Sequence, residues 1–257
     1  MKKNFDIIVY GATGFTGKLC ARYLSENAKD IKWAIAGRNK KKLEDIKKDL
    51  SLDVDIFIAE SNNEDALDNI TLNTQVVLST AGPFHRYSSK LVKSCVKNSS
   101  DYVDITGEFF WIREMIDLHH NEASSKGVRI IPACGYDSIP SDLGTFFANS
   151  KIKEPIKRIE SFHAGQGGIS GGTTETGFSM GDLKLGKKMN DPFVLNPENS
   201  VSKEQKLLSS DSIGLKKNSL IKSWTGPFIM AVSNTCLLYT SDAADDLLCV
   251  DLGGRRI

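Results

Sequence analysis

The sequence has no excess of charge of either sign. Its 33 lysines and arginines against 32 aspartates and glutamates leave a formal net charge of +1. With no large field available to steer a polyanion, the balance argues against a general nucleic-acid or membrane-surface role. It also lacks any apolar run near the roughly 20 residues needed to cross a bilayer. Its start, Met1-Lys2-Lys3-Asn4-Phe5-Asp6, carries no signal-peptide core. Five cysteines occur without a CxxC pair, a spacing that suggests neither a zinc site nor a disulfide framework. Reduced thiols in a cytoplasmic setting are expected. What is present is ordinary globular composition: 40% apolar and 25% charged over 257 residues. That suffices for one large domain or two smaller ones.

The first 150 residues alternate strand-like and helix-like stretches, the pattern of a parallel sheet covered by helices. Strands are expected at Asp6–Tyr10, Trp33–Gly37, Val54–Ala59, Gln75–Thr80, Asp101–Ile105 and Val128–Ala133. Helices are expected from Gly14 to about Asn27, over Lys40–Leu50, Glu64–Ile70 and Lys90–Asn98, and from Phe109 to Lys126. Right-handed crossovers then give a doubly wound α/β fold of order 3-2-1-4-5-6. After Ser150 the rhythm changes. Ile156–Ala164 reads as a strand, Gly165–Gly177 is rich in glycine, serine and threonine, and 190–223 is polar and weakly periodic.

The motif with the clearest chemistry is Gly11-Ala12-Thr13-Gly14-Phe15-Thr16-Gly17, between the first strand and the first helix. Gly11 permits the tight turn, Gly14 lets the backbone approach a diphosphate, and Gly17 allows the helix to pack closely on the sheet. The N–H groups and positive dipole end of the helix start would receive the phosphates. Thr13, Phe15 and Thr16 stand where their backbone or hydroxyl groups add donors. An NAD-specific site usually ends its second strand with an acid for the ribose hydroxyl. Here the strand runs into Gly37-Arg38-Asn39-Lys40-Lys41-Lys42, with no carboxylate until Glu44. Arg38 can fork onto a 2′-phosphate, so NADP(H) is the expected cofactor, with Asn39 beside it. The turn Thr80-Ala81-Gly82 after the fourth strand lies at the carboxyl edge, where the nicotinamide half is expected.

Catalytic groups are less legible, and none is assigned. Tyr136 follows the sixth strand at the cofactor edge, but Asp137-Ser138-Ile139-Pro140-Ser141-Asp142 also reads as a helix start. Glu108 follows the fifth strand and reads as support for the next helix start. Tyr87 and Lys90 are three apart, not the four that a short-chain-dehydrogenase pair requires. His119 and His120 fall in a long helix as surface or packing residues. His85 and His163 look isolated, no metal constellation forms, and Cys134 reads as a buried small residue.

Taken together, DIIVYGATGFTGKL, WAIAGRN, LSTAGPF, DYVDITGE, IIPACGYDSIPSDLG and SGGTTETG resemble the saccharopine dehydrogenase-like oxidoreductases, nearest to the trans-acting enoyl reductases. The resemblance covers about residues 5 to 180. It implies an NADP-binding Rossmann domain at 1–150, then part of a substrate or dimerisation domain at 151–235. It further implies hydride transfer to an activated double bond of an acyl or other hydrophobic small-molecule substrate. A homodimer, and membrane contact only through a further C-terminal part, are compatible with it. Saccharopine-type imine chemistry and a non-catalytic NADP sensor are the rival readings. Residues 236–257 (CLLYTSDAADDLLCVDLGGRRI) resemble a translated transposase-type sequencing adapter, so the natural chain is expected to depart near Thr235 and the piece to turn over poorly.

Overall fold

The computed structural model describes residues 3–152, 154, 159–164, 168, 170–183, 191–196, 200–208, 214–228 and 230–238. The chain divides into two compact units, one of residues 1–134 and 168–184, the other of 135–167 and 185–257.

The first unit is built on β1 (Phe5–Tyr10), β2 (Trp33–Gly37), β3 (Asp55–Ile58), β4 (Thr74–Ser79), β5 (Asp101–Asp104) and β6 (Ile130–Ile131). All pairs are parallel, in the order β3-β2-β1-β4-β5-β6. Helices α1 (Phe15–Asn27), α2 (Lys40–Asp49), α3 (Glu64–Asn73), α4 (Phe84–Tyr87), α5 (Ser89–Lys97) and α6 (Phe109–Lys126) connect the strands. Central strands buried on both faces must be apolar throughout. Ile8 and Val9 on β1 and Ile35 on β2 are accordingly inaccessible. The order reverses between β1 and β4, which pair through Tyr10 and Ser79 at their carboxyl ends. That reversal opens the crevice in which such sheets bind ligands.

Local chemistry sets the helix ends. Asn39 and Asn63 cap α2 and α3 by accepting from Lys42 N and Ala66 N. Gly127, at φ +65°, closes α6 in the left-handed conformation that glycine adopts without strain. β6 is shorter than the expected Val128–Ala133, pairing only through Ile130 and Ile131. It is an edge strand, and Pro132 immediately after it has no N–H to extend the ladder.

The second unit contains α7 (Ile139–Lys151), after which the chain contributes α8 (Gly171–Gly181) to the first unit. Further elements of the second unit are α9 (Lys203–Leu208), an antiparallel pair of β7 (Lys216–Asn218) and β8 (Ser223–Thr225), and α10 (Ala231–Leu238), which packs on α7. The strand expected at Ile156–Ala164 is not formed at 159–164, and 156–158 lie outside the described residues. Composition alone predicts no element for Gly165–Gly177. A helix forms there because Ser170 accepts from Thr173 N at 3.2 Å and starts α8. The expected boundary near residue 235 falls inside α10, and 239–257 lie outside the described residues.

Candidate cofactor site

The glycine turn takes the shape its spacing predicts. Gly11 sits at φ +87°, and a Cβ on it would lie 2.9 Å from Ala81 N and 3.0 Å from Thr80 Oγ1. A Cβ on Gly17 would collide with the turn itself, 2.3 Å from Gly11 O and 2.7 Å from Ala12 Cα. Gly14 differs: a Cβ there would find only Gly11 O, at 3.4 Å. It is exposed on the turn. Thr13 and Thr16 flank it half-buried, while Phe15 is 74% exposed.

Gly14 is also the N-cap of α1, which has no side-chain cap and no acid in its first turn. The two following helices are capped by asparagine. An uncapped helix start leaves backbone donors to be satisfied from outside, and its positive dipole end favours an anion. These features fit a diphosphate: open donors, room at Gly14, and close packing at Gly11 and Gly17.

Arg38 leaves β2 at the same edge, exposed, and no described residue forms an ion pair or hydrogen bond with its guanidinium. Tyr10, beneath it, donates to Ala59 O at 3.4 Å. Burial pushes the Tyr10 phenol up to about 12, against the pull of the Arg38 charge. Asn39 spends its Oδ1 on capping α2, which leaves its amide N–H groups outward. Thr80 works inward: its N–H donates to Tyr10 O at 2.9 Å, and its hydroxyl reaches Tyr10 O and Gly11 O at 3.3 and 3.2 Å. Thr80 thus ties the end of β4 to the glycine turn, and Ala81 and Gly82 continue to a cis peptide at Gly82-Pro83.

Just past that turn lies a cluster that local spacing does not reveal. Glu108 has no exposed surface. It accepts from Phe84 N and His85 N, each at 2.8 Å, and its Oε2 lies 2.5 Å from His85 Nδ1. The other ring nitrogen, Nε2, lies 2.9 Å from Ser179 Oγ on α8. Two readings of the sequence are corrected here. Glu108 occupies the N-cap position of α6 but makes no side-chain cap, because its carboxylate turns to the β4 loop. His85 is not isolated but held at both nitrogens. Ser179 carried no signal, being one hydroxyl in a Gly/Ser/Thr-rich stretch. Asp104 supports the same edge, accepting from Tyr102 Oη, Thr106 N and Ala133 N at 2.8, 2.9 and 3.1 Å. Burial pushes its carboxyl up to about 6 against those three donors.

Tyr136 is 73% exposed. Pro140 lies in the first turn of α7 as expected, but Ser138 at the N-cap makes no side-chain cap. Tyr87 ends α4, and Lys90 on α5 pairs with Glu64 at 3.2 Å. His119 and His120 lie on α6, half-buried and exposed. His163 stacks on Phe228 within the second unit, centroids 4.3 Å apart. Cys134 is half-buried, not buried as expected; its thiol donates to Ile131 O at 3.3 Å, and burial raises its pKa.

Residues 7–131 match the family described as the saccharopine dehydrogenase NADP-binding domain. This stretch, just under half of the chain, is similar to that NADP-binding domain. Its cofactor is NADP(H), in accord with Arg38 standing where an NAD site has an acid. The domain spans the six strands from Ile7 to Ile131, so the Gly11–Gly17 turn, Arg38, the Thr80–Gly82 turn, His85 and Glu108 lie within it. Along nearly its whole length, the cofactor domain included, the chain is 32% identical to a trans-acting enoyl reductase of Mycobacterium bovis and 31% identical to one of Mycobacterium ulcerans. Each match covers 95% of this chain and 63% of the relative. A Mycobacterium tuberculosis protein provisionally given the same name is 34% identical over 95% of this chain and 62% of its own. The chain therefore spans less than two thirds of the length of these relatives. Among solved structures, the apo histidine-tagged saccharopine dehydrogenase (L-Glu forming) of Saccharomyces cerevisiae superposes over 57% of this chain and 31% of its own. The TM-score is 0.49 at 18% identity.

Proposed function

We propose that this chain belongs to an NADPH-dependent oxidoreductase of the enoyl-reductase type, acting on the carbon–carbon double bond of an acyl or similar hydrophobic substrate. One observation carries the reading. The likeness to proteins named trans-acting enoyl reductases runs over 95% of the chain, well past the cofactor domain that ends at residue 131. A shared cofactor domain alone would indicate hydride chemistry and leave the acceptor open.

Each part of the site has work in such a reaction. The uncapped start of α1 holds the diphosphate, and Arg38 rewards the extra phosphate of NADP over NAD. Thr80 fixes the β4 turn against the glycine turn and so sets the wall along which the acceptor lies. Bound NADPH supplies the hydride. The protein's share is positioning, exclusion of water, and a partner for the charge that develops on the acceptor.

The test is NADPH oxidation by the full-length protein with trans-2-enoyl thioesters, followed by mass spectrometry of the acyl product. Saturation of the double bond is expected. Oxidation only with a 2-oxoacid and an amine would replace the reading with saccharopine-type imine reduction. Tight NADPH binding without turnover of either acceptor would leave a cofactor sensor.

A further inference from the structure

We infer that His85 is the proton donor of this site, delivering from Nε2 to the acceptor carbon opposite hydride attack, with Glu108 as its positioning residue. The inference rests on the enoyl-reductase reading above and names a group which that reading leaves open.

The geometry is that of an acid held at both ends. His85 lies two residues past Pro83, on the loop that Thr80 binds to the glycine turn, and so stands at the cofactor edge of the sheet. Its Nδ1 is 2.5 Å from Glu108 Oε2 and its Nε2 is 2.9 Å from Ser179 Oγ. The Phe110 ring packs beside it at a 5.6 Å centroid distance. With both nitrogens engaged, the ring keeps one orientation, its delivering nitrogen pointing away from the carboxylate. An imidazole oriented by a third group while its other nitrogen meets a hydroxyl is the arrangement that general acid–base chemistry requires.

Burial argues in the same direction. Glu108 is wholly inaccessible, and the His85 side chain is 12% exposed. Burying a carboxylate is costly unless it is paired and hydrogen-bonded. Joining two loops would need only an amide or hydroxyl, whereas this carboxylate also meets the imidazole Nδ1 and fixes the ring in place. The neighbouring acids are differently placed. Asp104 has its oxygens committed to Tyr102, Thr106 and Ala133. The Cys134 thiol is turned back to Ile131 O and raised by burial.

The step balances. The hydride and its electron pair form the new bond at the β-carbon of the enoyl thioester, and the π pair shifts to the α-carbon and the carbonyl. The Nε2–H bond breaks as the α-carbon–hydrogen bond forms, on the side of the ring where Nε2 meets the Ser179 hydroxyl. His85 is left neutral, Nδ1–H toward Glu108, and solvent returns the proton.

Among the described residues, few charged groups stand around His85. Glu108 faces it from the start of α6, and the Glu108 charge in turn adds to the raising of Asp104 on β5. Arg86, its neighbour on α4, pairs with Glu175 at 3.7 Å and Asp182 at 3.9 Å. Ser179 on α8 is neutral.

The test uses the full-length protein with NADPH and a short trans-2-enoyl thioester. In His85→Gln and Glu108→Gln we expect NADPH affinity within a few-fold of the parent, by cofactor fluorescence. Single-turnover NADPH oxidation should fall about 100-fold or more in His85→Gln, and the high-pH decline of the parent's rate profile should disappear. In ¹⁵N-histidine spectra, a strongly downfield imidazole N–H should be present in the parent and lost in Glu108→Gln. Should His85→Gln fail to bind NADPH, His85→Gly decides, with added imidazole expected to restore turnover in proportion to its concentration. A His85→Gln variant that keeps the parent's rate and pH profile overturns the assignment and leaves the enoyl reading standing. So does a His85→Gly variant that imidazole does not rescue. A parent that binds NADPH but reduces no enoyl thioester overturns the enoyl reading and the donor with it.

Discussion

Arg38 stands exposed at the end of β2, and no described residue forms an ion pair or hydrogen bond with it. A guanidinium placed this way contributes to binding through two charge-assisted hydrogen bonds to one phosphate, each group already solvated in the free protein. Arg38→Ala is therefore expected to weaken NADPH binding about tenfold to a hundredfold, the equivalent of ~1.5–3 kcal/mol for bonds to a charged group. NADH binding should change little, and calorimetry with both cofactors measures the difference. Equal losses for the two would place Arg38 away from the 2′-phosphate. Gly17 gives a different kind of prediction. A Cβ there meets backbone at 2.3 and 2.7 Å, and backbone cannot swing aside as a side chain can. Gly17→Ala should cost about 1–3 kcal/mol of stability through overpacking and should also loosen the diphosphate turn. Gly14→Ala, with its Cβ meeting only Gly11 O at 3.4 Å, should fold normally and lose NADPH affinity. Urea titration alongside cofactor titration separates the two.

Among elements, the end of β5 holds a buried carboxylate whose pKa burial raises. Asp104 joins β5 to the segment after β6 through Thr106 N and Ala133 N, yet burial lifts its carboxyl to about 6 from an ordinary value near 3.8. The sign follows from proton counting. Between about pH 4 and pH 6 the folded protein holds this proton and the unfolded chain has released it, so the group's contribution to stability declines as pH rises through that window. Asp104→Asn keeps an acceptor for the two backbone donors and removes the charge. Relative to the parent, the variant should gain stability from pH 4 to pH 7 by an amount on the order of 2–3 kcal/mol. A constant difference across that range would contradict the raised value. The element pattern itself was largely legible beforehand. β1, β2 and their helices follow from β-branched runs and from Gly11, Asn39 and Asn63, because period and punctuation are local properties of the chain. β6 was over-read, since how much of an edge strand pairs depends on its neighbour. The helix from Gly171 was not read, since its composition opposes helix and its start depends on the Ser170 cap.

Across the whole molecule, the residues that would hold the cofactor all lie in the first of the two units. NADPH bound to the first unit should raise that unit's unfolding temperature, by about 2.7 kcal/mol of added stability at a hundredfold excess over Kd. Calorimetry should then show that transition moving with NADPH concentration while any separate transition of the second unit stays in place. No described helix is long and apolar enough to cross a membrane. By itself the sequence determined the doubly wound sheet and the glycine turn and pointed to NADP(H), because each is written within one short segment: a hydrophobic period, three glycines, one arginine in place of an acid. Only the tertiary structure decided that Glu108 abandons its helix for His85, 23 residues away, and that Ser179 comes to the same imidazole from 94 residues away. The reason is physical. Which side chains converge beyond the end of a strand depends on how loops from β4, β5 and a distant helix pack together, and no local pattern in the chain records that packing.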